Sequence, residues 1–133
     1  MRWGAIEARY QVFWQVLGQE SSQLATHLTH IGFTPGLIVT DWWLTLFSRH
    51  FSPDIVGRLW DCFLLEGEPL LFRAAVGICK TLENRLINQP LEVCLDVINK
   101  SGDEFTQDSF FQTIAEVRSS VKSIRQLLDH VSE

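Results

Sequence analysis

The sequence predicts an all-α fold, a compact orthogonal-type array of about six to seven helices ending in a long amphipathic one. Three observations carry that prediction. Apolar residues recur at spacings of three and four along successive segments. Prolines stand where those segments start and glycines where they stop. No alternating stretch is bounded by an Asn-Gly or Asp-Gly turn, so no hairpin is predicted.

Taken in order, the first helix is expected over Ala5 to Leu17, where apolar residues are too dense to define one face, with Gly18 as its stop. Ser21 and Ser22 offer caps for a short amphipathic helix carrying Leu24, Leu28 and Ile31, which Gly32 terminates. Thr34-Pro35 supplies a cap and a first-turn proline for a helix through Ile38, Trp42, Trp43, Leu46 and Phe47. That run is apolar nearly all round and should be central. Ser52-Pro53-Asp54 is the clearest start: a cap hydroxyl, a proline where no N–H is needed, and an acid favoured by the helix dipole. Its helix should bury Ile55, Val56, Leu59, Trp60, Phe63 and Leu64 on one broad face and stop at Gly67. Pro69 opens the next, with Leu71, Ala75, Ile78, Leu82 and Leu86 as its stripe. Asn88 or Gln89 before Pro90 opens a shorter helix through Leu91, Cys94, Leu95 and Ile98, closed by Ser101-Gly102. The rest, over 104–131, reads as one long helix in which Phe110, Ile114, Val117, Val121, Ile124, Leu128 and Val131 form an unbroken stripe. Two fates are open to it: docking on the chain's own bundle, or a seam with a second copy, so a homo-oligomer is among the expected assemblies.

At 133 residues the chain is one domain long, and no linker or repeat divides it. A 46% apolar content with 5 Trp and 9 Phe, against 20% charged residues, excludes disorder. No apolar run approaches the ~18 residues that cross a bilayer. Met1-Arg2-Trp3-Gly4 starts no signal peptide, which gives a cytoplasmic expectation. Cys62, Cys79 and Cys94 are odd in number and widely spaced, as buried small hydrophobes rather than disulfide or metal ligands. With a net charge of -5 and no basic run, the expected partner is a protein, not a nucleic acid.

Motifs for chemistry are sparse. No glycine-rich phosphate loop is present, and no cofactor is expected. His27 and His30 lie three apart on a helix, but no further ligand type accompanies them at metal-site spacing. Ser48 and His50 lack a nucleophile elbow. Glu66, Glu68, Asp103 and Glu104 fall at turns or helix ends, where solvated acids are ordinary. Asp61 stands out in mid-helix after Trp60: it is either a buried acid paired with Arg49, Arg58 or Arg73, or a solvated one on the outer face.

Around these residues the sequence resembles a known family. Asp41-Trp42-Trp43-Leu44-Thr45-Leu46-Phe47-Ser48 is similar to the W-x-L-T-L-F segment of TBC domains, the Rab GTPase-activating family, with Trp43 where a smaller aromatic is expected. Arg58-Leu59-Trp60-Asp61, Phe63-Leu64-Leu65-Glu66-Gly67 and Leu71-Phe72-Arg73 resemble its R-x-W-D, L-x-E-G and L-F-R elements in order and spacing. Upstream, His27-Leu28 and Gly32-Phe33 match the H-L and glycine that precede the tryptophan helix. The resemblance covers about residues 10–98. It implies a helical fold, a Rab-type small GTPase as partner, and a place in membrane traffic, peripheral to endomembranes through that partner. It also implies catalysis in trans, by an arginine on the transferring phosphoryl group and a glutamine that positions water. Those two belong to I-x-x-D-x-x-R and Y-x-Q motifs, and neither occurs here. No catalytic residue is therefore carried over. The expectation is a carboxy-terminal scaffold part of such a domain, from a longer activator or a short relative, inactive by itself. The competing expectation is a non-catalytic helical interaction module.

Overall fold

The computed structural model describes residues 3–45 and 47–132, with side chains over 7–45 and 47–130. Leu46, of the tryptophan segment, and the side chain of Val131 lie outside the described residues. Nine α-helices and two 3-10 turns, without strands, make up the described residues. The count exceeds the expected six to seven because the helices expected from Pro69 through Leu86 and over 104–131 each divide in two, and the central one is broken as well.

Helix α1 (Trp3–Glu20) runs through Gly18. Glycine weakens a helix interior without ending it. The stop comes at Ser21, whose hydroxyl accepts the Leu24 N–H at 3.2 Å and so caps α2 (Ser22–His30). Gly32, at φ 86, closes α2: the Phe33 N–H reaches back to the Leu28 carbonyl at 2.9 Å, the bond of a left-handed C-terminal cap.

The expected central helix is the first to be broken. Thr34 makes no side-chain cap bond, Pro35–Leu37 forms a 3-10 turn, and Ile38 leaves the helical region at φ -137. Only α3 (Val39–Leu44) is regular. The aromatic content still goes to the core: Trp42 and Phe47 are both fully buried. They stack at 5.6 Å, with Phe47 held at φ 67 by its N–H bond to the Trp42 carbonyl.

Helix α4 (Pro53–Glu66) starts and stops where expected, with Gly67 at φ 75 beyond it, but the Ser52 hydroxyl makes no cap bond and the start rests on the proline. It is followed by α5 (Pro69–Thr81), the short α6 (Glu83–Leu86) and α7 (Leu91–Lys100). The expected stripe from Leu71 to Leu86 is buried, and α5 is buried on nearly every side, packed by α1, α4 and two later helices, α8 (Gln107–Ala115) and α9 (Val121–Ser132). Gly77 lets α8 (Gln107–Ala115) lie against it, since a Cβ there would meet Thr113 Cγ2 at 2.8 Å. Cys79 and Cys94 sit in the core, and burial pushes the Cys79 thiol up to about 12. Cys62 is only half-buried.

The third break falls in the expected terminal helix. After α7 comes a 3-10 turn at Ser101–Glu104, then α8, and a separate α9 (Val121–Ser132). What interrupts the stripe is Glu20, a side chain 1% exposed at the end of α1. Its carboxylate accepts the backbone N–H of Arg118 at 2.5 Å and of Ser119 at 3.0 Å, and the Lys80 ammonium lies at 3.3 Å. Those amides are withdrawn from helical bonding. Ser120 then caps α9 by accepting the Ser123 N–H at 3.0 Å. The stripe is spent inside the chain: Phe110, Ile114, Val117, Ile124 and Leu128 are buried, and α9 packs on α1 and α5. A continuous helical seam for a second copy is thus not what these residues build.

Burial alone raises the Glu20 pKa, but the Ser119 N–H, Lys80 and Arg118 outweigh it and leave the carboxyl below the usual range. A carboxyl depressed on folding contributes stability that is present above its unfolded pKa of about 4.3 and is lost as pH falls through the lower folded value. Glu20→Gln is expected to cost about 2 kcal/mol at pH 7, and to flatten the loss of stability below about pH 4. Urea midpoints of both proteins between neutral and acid pH check this; parallel curves would show that the carboxylate is not the stabilising species.

Candidate interaction surface

The residues singled out by motif divide into three groups. Leu28, Trp42, Phe47 and Phe72 are core: all are essentially inaccessible, and Phe72 lies 4.7 Å from the ring of Trp43, whose indole N–H bonds the Leu71 carbonyl at 3.2 Å. The larger aromatic at position 43 is accommodated as a half-buried clamp between α3 and the start of α5.

The second group holds turns in place. His27 Nε2 sits 3.0 Å from the Gln89 carbonyl, tying α2 to the turn before α7, while His30 is exposed beside a shallow groove. Glu66 and Gly67 shape the turn from α4 to α5, and three arginines reach it from different helices. Arg73 of α5 approaches the Glu66 carboxylate at 3.5 Å. Arg125 of α9 donates to the Glu66 carbonyl at 2.7 Å. Arg9 of α1 binds the Glu68 carboxylate, with its second contact at 3.1 Å. Neither Arg9 nor Arg125 was marked by any local signal, because each partner lies 59 residues away in the chain.

The third group is on the surface, and it corrects the expectation for α4. Ile55 and Leu59 are buried, Val56 and Phe63 partly so, but Trp60 is 48% exposed and Leu64 77%. Leu65 follows at 88%. Asp61 is exposed and makes no described hydrogen bond or ion pair. All three candidate arginines are engaged elsewhere: Arg49 with Asp41 at 3.1 Å, Arg73 with Glu66, and Arg58 over the Phe111 ring at 4.2 Å. Asp41 also takes the His50 ring at 2.7 Å, and that bond, opposed by burial and helped by Arg49, holds its carboxyl below the usual range. Ser48 makes no described contact with His50, so no nucleophile and base are assembled.

Trp60→Ala is accordingly expected to cost only about 1 kcal/mol, the loss of a half-exposed ring packed edge-on to Phe63, and Asp61→Asn less than about 0.5 kcal/mol. Urea midpoints close to that of the parent, with unchanged slope, check both; a loss of several kcal/mol would show the ring to be interior.

The core anchors, the arginine-held acid–glycine turn and the W-D helix all fall within the segment matched by the family model for the Rab-GTPase-TBC domain, residues 3–87. The chain belongs to this family. The match begins before the expected residue 10 and ends at α6, short of the expected 98. TBC1 domain family member 12 of Rattus norvegicus is 28% identical over 128 residues, 95% of this chain and 18% of that protein. Drainin of Dictyostelium discoideum is 29% identical over 107 residues, 80% of this chain and 24% of its own length. TBC1 domain family member 14 of Homo sapiens is 28% identical over 111 residues, 84% of this chain and 16% of its own. The chain thus spans less than a quarter of the length of these relatives. Within this TBC chain, α9 lies beyond the matched segment, yet it supplies the arginine that fixes the Glu66 carbonyl.

Proposed function

We propose that this chain is the helical scaffold part of a Rab GTPase-activating TBC domain, and that it does not accelerate GTP hydrolysis by itself. One observation supports this above the others: the family match over residues 3–87 comes without an I-x-x-D-x-x-R or Y-x-Q motif anywhere in the sequence. Activation in trans rests on an arginine that stabilises charge on the transferring phosphoryl group, an effect worth about a thousandfold to a hundred-thousandfold in rate. A scaffold that lacks that donor keeps the shape of the activator and loses the chemistry.

The partner in this reading is a Rab-type GTPase, and the chain works in the cytoplasm, at endomembranes only through that partner. Among the described residues no helix is long and apolar enough to cross a membrane. Self-association through the terminal helix has no place in it, because Ile124 and Leu128 are buried against the chain's own bundle. Single-turnover hydrolysis by a panel of GTP-loaded Rab proteins tests the proposal. Rates unchanged by the purified chain are expected, and robust stimulation of any member would overturn it. The exposure of Trp60, Leu64 and Leu65 favours a second reading, a non-catalytic interaction module, whose signature is retention of a GTP-loaded Rab without acceleration.

A further inference from the structure

The exposed face of α4 is a ridge of unusual make-up. Trp60 and Leu64 are four apart and therefore stacked on one side of the helix, with Asp61 and Leu65 paired in the same way beside them. Their exposures of 48%, 77% and 88% for Trp60, Leu64 and Leu65 put three large apolar side chains within about two turns. Gly57, one turn before Trp60 and Asp61, is open, with nothing within 4 Å of where a Cβ would stand. Tryptophan is among the residues that most often anchor binding surfaces, and this one stands exposed beside an open notch with two exposed leucines extending its apolar area.

The charge within this ridge selects the partner. Asp61 is exposed and has no described partner, and α4's one cation, Arg58, is drawn aside onto the Phe111 ring at 4.2 Å. Any body that covers Trp60 and Leu64 takes water from Asp61, and an unpaired carboxylate opposes that desolvation. The partner must therefore bring a cation to the middle of its own apolar surface. A second copy does the reverse: two α4 helices paired antiparallel about Trp60 set one Asp61 against the other, in a chain already at -5. Phosphate backbones and anionic headgroups are disfavoured by the same acid. The far end of the ridge is preformed, because Arg73, Arg125 and Arg9 fix the Glu66–Glu68 turn from three helices.

We propose that the α4 face docks an amphipathic helix of a partner protein, one whose apolar stripe is interrupted by a lysine or arginine that pairs with Asp61. This surface goes beyond the scaffold reading and does not depend on a GTPase. The probe is a displayed library of amphipathic helices of about five turns, one stripe position fully randomised, sorted against the intact chain. Enriched helices should carry lysine or arginine at that position and lose about tenfold or more in affinity for Leu64→Asp. Asp61→Asn should abolish the preference for a cation, and Asp61→Lys should replace it with a preference for an acid. Both positions are solvent-exposed, and circular dichroism of each variant shows that the fold is kept. Binders indifferent to Leu64→Asp, binders on α4 without the cation, or no binders at all would overturn the proposal. So would a dimer in sedimentation that Leu64→Asp dissolves, since it would assign the face to a second copy.

Discussion

Gly102→Ala is expected to cost about 3 kcal/mol or more, the largest penalty for adding a single methyl to this chain. Gly102 has no positive φ, so conformational freedom is not why glycine stands there. Space is the reason. It lies buried in the 3-10 turn after α7, where a Cβ would come 1.5 Å from the His50 carbonyl oxygen and 2.7 Å from its carbon. Those are backbone atoms, and the turn that carries them is braced. The His50 ring is 2.7 Å from Asp41 and Arg49 is 3.1 Å from the same carboxylate. Phe51, next along, packs its ring on Trp42 and Phe110. Relief therefore requires one whole segment to move. Gly18→Ala is the control of opposite sign: nothing lies within 4 Å, the site is inside α1, and removal of glycine's chain entropy should stabilise by up to about 1 kcal/mol. Thermal unfolding of the two variants checks the pair. Gly102→Ala within about 0.5 kcal/mol of the parent would show that the turns do not meet.

The same contrast explains what was legible in the sequence. Most helix boundaries written in local chemistry came through: Ser21 caps, Gly32 and Gly67 adopt positive φ, and Pro53 and Pro69 open helices, whereas Gly18 stops nothing and the Thr34 and Ser52 hydroxyls make no cap bond. Each depends on residues within one turn of itself. The buried stripe of α5 was equally plain, because a helix packed on several sides needs apolar residues all round. Where the decisive partner is remote, the pattern misled. The spacing from Phe110 to Val131 is that of one helix, but Glu20 takes the Arg118 and Ser119 amides from 98 and 99 residues away, and no local propensity records that.

On α4 the error was one of width. Periodicity gives the direction of an apolar face, not how much of it another element covers, and only Ile55 and Leu59 are fully enclosed. The motif singled out Trp60 and Asp61 but did not show on which side of the surface they lie. Asp61 was left between two roles, and the structure chose by engaging Arg49, Arg58 and Arg73 with other groups. The sequence placed Trp42 and Phe47 in the central helix and marked Phe72 only through the L-F-R resemblance. It could not show that Phe47 reaches the core only by taking φ 67.

Trp42→Ala is expected to destabilise by about 4 kcal/mol, as a fully buried large ring leaves a cavity that rigid neighbours do not close. More than volume is lost. Phe47 is a bulky residue in the left-handed region, a conformation that costs about 1–2 kcal/mol, and its ring is stacked on Trp42 with an interplanar angle of 29°. Without the indole that conformation has less to sustain it, so the turn through Phe51 should loosen as well. Trp42→Phe separates packing from polarity. The indole Nε1 is buried without a described partner, and a buried unpaired N–H opposes folding by about 1–3 kcal/mol. Phenylalanine gives up part of the volume and removes that penalty, so its net cost should be about 1 kcal/mol or less, far below that of alanine. Urea unfolding with near-ultraviolet circular dichroism measures both, the second reporting whether the aromatic cluster keeps its fixed geometry. If phenylalanine proves as damaging as alanine, the indole N–H is doing something its described neighbours do not reveal, and a buried water between Trp42 and a carbonyl would be the first thing to seek.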